Sequence, residues 1–198
     1  MIIGVPKEIK NHEYRVGLVP SSVRELTRLG HQVYIETKAG AGIELTDAEF
    51  EAAGARILPS AEALFSKSEL IVKVKEPQAN ERALLKPEHV LFTYLHLAPD
   101  LHQTEDLIKS RATCIAYETV TDKNGGLPLL SPMSEVAGRM SIQAGAMALE
   151  KSWGGRGLLL AGVPGVAPAK VAIIGGGKVG QNALKIAIGM GVSVTVLD

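Results

Sequence analysis

A glycine-rich turn does most to limit how this 198-residue chain can fold. The apolar run Lys170 to Ile174 passes directly into GGGKVG, Gly175 to Gly180, which opens a helical run to about Gly189. A second apolar run, Val192 to Leu197, follows and ends at Asp198. A strand that turns at once into a helix needs a residue free to take a positive φ, and Gly175 stands there. Gly177 has no Cβ, so an anionic group can lie against the helix N-terminus, where the N–H dipoles favour negative charge. Gly180 lets the helix pack closely on the strand.

Strand, glycine turn, helix, strand and terminal acid together form the dinucleotide-binding fingerprint in the context it requires. Asp198 is placed to accept hydrogen bonds from both ribose hydroxyls of an adenosine half. A 2′-phosphate would meet its carboxylate, which favours NAD over NADP.

Upstream, short β-branched runs alternate with helical patterns. Strands are expected at Ile2–Val5, Gln32–Glu36, Leu70–Val74, Val90–Tyr94 and Thr113–Ala116. Helices are expected at Ser22–Leu29, Thr46–Ala53, Ala61–Lys67 and Asp100–Ser110, with Gly30 and Gly54 as C-terminal stops and Thr46 with Glu49 as a capping box. This rhythm implies crossover units and a mostly parallel sheet. A turn signal at 123–128 precedes a longer helix, with Ser131 as N-cap and Pro132 as first helical residue, running to about Lys151. Ala137, Ser141, Ala144, Gly145 and Ala148 put small residues on one of its faces, as tight packing requires. The fold class is therefore α/β: a Rossmann-like parallel-sheet domain over residues 1–130, then a linking helix and the start of an NAD-binding Rossmann domain over 131–198.

Composition narrows the function. Basic and acidic residues balance at 21 each, so no basic stripe speaks for nucleic acid. Cys114 is the single cysteine, which excludes a disulfide within the chain and a multi-thiolate zinc site, and no metal site is expected. The N-terminus lacks a signal-peptide core, and no apolar run approaches the roughly 20 residues of a membrane span. A cytoplasmic protein is expected.

Three segments concentrate chemistry where parallel strands end, the usual place for ligands. Arg15 follows the first strand in a charged stretch. It can fork a carboxylate or lie at the surface paired with Glu13 or Glu8. Lys73 and Lys75 share one face at the end of the third expected strand, reaching a crevice or lining a solvated edge. Tyr94 and His96 have strand spacing. His96 stands among apolar residues, as a core histidine or a poised proton carrier, whereas His12, His31, His89 and His102 read as surface.

Five blocks then closely resemble the alanine dehydrogenase family, which also holds the NAD-binding part of proton-translocating transhydrogenase: GVPKEIKNHEYRVGLVP, IVKVKEP, FTYLHLA, PMSEVAGRMSIQAGAMALEK and VAIIGGGKVGQNA. The resemblance covers Met1 to Asp198. It implies reversible oxidative deamination of L-alanine to pyruvate and ammonium with NAD. Carried over by residue, Arg15 and Lys75 bind the substrate carboxylate and carbonyl, with Tyr94 beside them, and His96 is the catalytic proton donor or acceptor. Ser134 contacts the cofactor, Lys178 and Val179 lie in its phosphate turn with Gly175, Gly177 and Gly180, and Asp198 holds the adenine ribose. The resemblance also implies a homohexamer with small-molecule substrates and neither nucleic-acid nor membrane partners.

The family's catalytic aspartate and the return of the first domain have no counterpart in these residues. An N-terminal portion of a longer enzyme is therefore expected, inactive as it stands, with an open sheet edge and unpaired apolar surface. The alternatives are the NAD(H)-binding component of transhydrogenase, a relative reducing larger keto-acid adducts such as the lysine and saccharopine dehydrogenases, and a non-catalytic NAD-binding fragment.

Overall fold

A computed structural model describes residues 1–198 and divides them into two compact units, Met1–Val120 and Thr121–Asp198. In the first, strands β1 (Ile2–Val5), β2 (Gln32–Glu36), β3 (Arg56–Leu58), β4 (Leu70–Val72), β5 (Val90–Thr93) and β6 (Thr113–Ala116) form one parallel sheet in the order β3-β2-β1-β4-β5-β6. The order reverses between β1 and β4, and a doubly wound sheet opens a crevice beyond the carboxyl ends of its strands at such a point.

Alternation along the strands builds the two faces. Val33 and Ile35 of β2 join Ile3, Val5, Val23 and Phe50 on one side, the side of helices α1 (Pro20–Arg28) and α2 (Asp47–Ala52). Tyr34 joins Leu64, Phe65, Ile71 and Leu91 on the other, under α3 (Ala61–Lys67) and α5 (Leu101–Ser110). With aromatics at 4% of the chain, aliphatic side chains fill most of both layers, and Phe50 and Phe65 are its fully buried phenyl rings.

The expected elements form, with differences at their ends. The capping box is present: Thr46 Oγ1 accepts from Glu49 N–H, and the Glu49 carboxylate accepts from Thr46 N–H. Helix α1 begins two residues earlier than expected, because Pro20 serves as its first residue. Strand β3 and the one-turn helix α4 (Ala79–Arg82) were not anticipated; three and four residues are too few to show a period. His89 is buried, not superficial: its Nδ1 accepts from Lys86 N–H at 3.1 Å and its Nε2 meets Phe65 O at 3.0 Å.

The second unit contains α6 (Ser131–Ala148), β7 (Lys170–Ile174), α7 (Lys178–Gly189) and β8 (Ser193–Leu197), with β7 and β8 parallel. Ser131 is the first helical residue of α6, not its cap; Leu130 takes that position, and no side chain caps the helix. Ala137, Ser141, Ala144, Gly145 and Ala148 are exposed in this chain and make no close contact with α7. Gly138 and Ile142 are the buried residues of α6. A Cβ on Gly138 would lie 2.2 Å from Val179 O and 2.9 Å from Asn182 Cβ, so this glycine sets how closely α6 approaches α7. Ile142 joins Ile173, Ala183 and Ala187 in a small core. Apolar surface remains open on the sheet, with Ile174 at 87% exposure.

Lys73 departs furthest from expectation. It lies just past β4, yet it is fully buried rather than on a solvated edge. Its Nζ donates to Glu81 Oε1 at 2.7 Å and to Glu8 Oε2 at 3.3 Å, and both carboxylates are buried as well. The remaining oxygens are used: Glu8 Oε1 accepts from Val74 N–H, and Glu81 Oε2 from Gln78 N–H, each within 2.8 Å. Burial pushes the Glu8 carboxyl above its usual range, against the lowering effects of Lys73 and the Val74 N–H.

A Lys73→Met variant is expected to lose about 3–5 kcal/mol, because it leaves two buried carboxylates without their cation. Without Lys73 only the Val74 N–H opposes the burial that raises the Glu8 carboxyl, which binds its proton more tightly folded than unfolded, so stability falls as pH rises through that raised pKa. Urea denaturation should therefore find a larger deficit, relative to the parent, at pH 8 than at pH 5. An equal deficit at both pH values would contradict the account.

Candidate active site

The segment after β1 carries Glu8, Glu13 and Arg15. Arg15 Nε donates to Glu13 Oε1 at 2.9 Å and its Nη2 to Oε2 at 2.7 Å, while the Arg15 backbone N–H also donates to Oε1. The surface-pair alternative is thus realised with Glu13, though the Arg15 side chain stays 43% exposed against 7% for Glu13. The Arg15 bonds hold the Glu13 carboxyl below its usual range, opposed by burial and aided by the charge of Lys75. Tyr94 is raised by burial, with Arg15 acting against that shift and Glu118 reinforcing it. Arg15, Lys75 and Tyr94 therefore share one electrostatic neighbourhood, drawn from the ends of β1, β4 and β5. An ion pair between Lys10 and Glu76 ties the first of these loops to the residue after Lys75.

A cavity of 380 Å³ beside Arg15 is lined by Lys7, Glu8, Glu13, Tyr14 and Lys38 among others. Lys75, Tyr94 and His96 are not among its lining residues. His96 is exposed rather than buried in an apolar core. Its φ of 49° is left-handed, and β5 ends at Thr93, so the strand spacing assumed for Tyr94 and His96 does not continue to the histidine. Its backbone N–H donates to Glu118 Oε1 at 2.7 Å.

Sequence reading named Glu13 as a possible partner of Arg15 but missed Glu118. Glu13 had a signal, two residues before Arg15 in a charged stretch. Glu118 meets His96 across 22 residues and had none.

In the second unit a cleft of 760 Å³ brings together Ser134, Gly175, Gly177, Lys178, Val179 and Gly180. Gly175 has φ +98°, as the turn requires. A Cβ on Gly180 would lie 1.8 Å from Gly175 O, so any side chain there would force the turn apart. Nothing lies within 4 Å of the Cβ position of Gly177, which leaves room at the start of α7. No side chain caps that helix and no acid occupies its first turn. Asp198 stands against the turn: its Oδ1 accepts from Gly176 N–H at 2.9 Å. An open glycine turn, an uncapped helix N-terminus and an adjacent carboxylate fit a dinucleotide's pyrophosphate and ribose. No group of three or more His, Cys, Asp or Glu side chains is arranged to hold a metal ion, and no helix is long and apolar enough to cross a membrane.

Comparison with known proteins agrees with this geometry. The family described as alanine dehydrogenase/PNT, N-terminal domain, matches residues 4–137, and its C-terminal domain counterpart matches residues 141–198. The chain is 61% identical over all 198 residues to alanine dehydrogenase of Halomonas elongata, of which it covers 53%. A solved L-alanine dehydrogenase superposes with a TM-score of 0.91 at 55% identity, over 100% of this chain and 55% of that one. A transhydrogenase structure from Sinorhizobium meliloti follows at 0.81 and 25% identity, over 100% of this chain and 59% of that one. The chain thus spans about half the length of the relatives it matches. On two family models that together cover nearly all of it, the chain belongs to the alanine dehydrogenase/PNT family.

Proposed function

We propose that a chain of the relatives' full length is an NAD-dependent L-alanine dehydrogenase, interconverting L-alanine with pyruvate and ammonium. What supports this reading is that Arg15, Lys75 and Tyr94 follow the neighbouring strands β1, β4 and β5, with His96 two residues beyond Tyr94, in a chain matched by both family models. The high identity to proteins named alanine dehydrogenase supports it over the transhydrogenase alternative. Substrate handling is assigned to residues 1–130 and cofactor binding to 131–198. A cytoplasmic homohexamer belongs to the same proposal.

NAD, when bound, supplies the acceptor for the hydride that leaves the alanine Cα. Ser134, Gly175, Gly177, Lys178, Val179, Gly180 and Asp198 would hold it. Arg15 forks the substrate carboxylate and so orients Cα, which is catalysis by positioning. This requires Glu13 to share the guanidinium it now grips. His96 takes a proton from the water that adds to the imine carbon and returns one to the departing amine. Lys75 stabilises the oxygen as it becomes the carbonyl. Tyr94, with its phenol held protonated by burial, sits beside Arg15 as part of the substrate wall.

The direct test is NADH formation from L-alanine by the full-length chain; activity with L-lysine, or with no amino acid, would overturn the reading. His96→Ala is expected to slow turnover by roughly 10²–10⁴-fold while NADH still binds by fluorescence titration. Unchanged turnover would remove His96 from proton transfer. Asp198→Ala is expected to weaken NADH binding by about 10–100-fold, the worth of hydrogen bonds to a charged group, and to narrow the preference over NADPH. Titration with both nucleotides checks this.

A further inference from the structure

Glu118 sits in the short turn Tyr117–Thr119 that follows β6. Its Oε1 accepts from the backbone N–H of His96 at 2.7 Å and from that of Leu95 at 3.1 Å, and its Oε2 accepts from Leu95 N–H at 3.2 Å. On the other side of the Leu95 residue, Gln103 Nε2 donates to Leu95 O at 2.6 Å. The neighbouring Tyr117 ring packs edge-on against Tyr94 at 4.9 Å and Phe92 at 4.3 Å, which fixes the turn that carries Glu118. The segment from Phe92 to His96 is therefore gripped from several directions.

The backbone so held is one that histidine seldom adopts. At φ 49° His96 is in the left-handed region, where a Cβ crowds the following carbonyl. Its side chain is exposed, so the backbone conformation, not surrounding packing, sets where its Cα–Cβ bond starts the imidazole. An ionised carboxylate is acceptor-only and suits two consecutive N–H donors that point the same way. No residue near His96 in sequence supplies this; the acceptor comes from the turn after the next strand of the sheet.

We infer that Glu118 is a positioning residue, holding His96 in the conformation that aims its imidazole at the substrate. The inference rests on the reading of His96 as the proton carrier. Removing the acceptor releases the left-handed turn, and the histidine then samples ordinary conformations that point elsewhere. Glutamine keeps one carbonyl oxygen at the position where Oε1 now takes both donors.

The test uses the full-length chain and steady-state oxidation of L-alanine. Glu118→Ala is expected to lower kcat by about 10²-fold, the order of loss for a misplaced catalytic group, with KM for NAD unchanged. Glu118→Gln should recover most of that loss. In a His96→Ala background neither Glu118 substitution should slow turnover further, because the residue acts through His96. A merely structural role would instead multiply the two losses and move both constants. Should Glu118→Ala fail to fold, the same cycle with Glu118→Met, which keeps the side-chain length without the acceptor, decides. Parental kcat in Glu118→Ala, or losses that multiply, overturns the inference while alanine dehydrogenase activity stands. A parent chain with no activity on alanine overturns the functional reading first.

Discussion

The buried ammonium of Lys73, set between the carboxylates of Glu8 and Glu81, is the contact on which the first unit's functional end depends. It joins three separate pieces of chain: the segment leaving β1, the end of β4 and the short helix α4. A fully buried lysine is tolerated only when its charge is met and its partners' other oxygens are bonded, and both conditions hold here. A hydrophobic contact of similar size would be cheaper to bury but would not specify direction. The ion triad does, because Glu8 must face β4 for its second oxygen to reach the Val74 N–H. This fixes the root of the loop that carries Arg15 next to the strand end that carries Lys75.

From that root the parallel sheet does the gathering. Its order places β1, β4 and β5 side by side, so their following loops emerge at one edge. Arg15, Lys75 and Tyr94 come from these three loops. Glu13 and Glu118 are the acids that hold two of them, one gripping the guanidinium and the other the His96 backbone. The second unit solves a different problem with fewer parts. Its turn needs the positive φ of Gly175 and the missing Cβ of Gly180, and Asp198 returns to the turn through Gly176.

Much of this was legible in the sequence, for identifiable reasons. The crossover rhythm and the glycine turn are local patterns, and they yielded the sheet and the dinucleotide motif directly. The capping box at Thr46 and Glu49 was legible because both partners lie within one turn. What escaped was long-range. Lys73 reads as a crevice or solvated-edge lysine and not as a buried one, because its partners lie 65 residues before it and eight after it. His89 looked superficial beside charged neighbours, though its ring reaches Phe65 O on another element. The small residues of α6 read as a packing face, and the close contact is made by Gly138, which that reading left out. The strand spacing of Tyr94 and His96 failed because a single left-handed residue cancels a period-two argument.

The central claim is that the loops after β1, β4 and β5 form one substrate site whose carboxylate anchor is Arg15. A crystal structure of the full-length chain with NADH and pyruvate tests it most directly. The account predicts the pyruvate carboxylate on the Arg15 guanidinium, with its carbonyl oxygen within hydrogen-bonding reach of Lys75 and His96. Pyruvate bound elsewhere, with Arg15 still closed on Glu13, would contradict it.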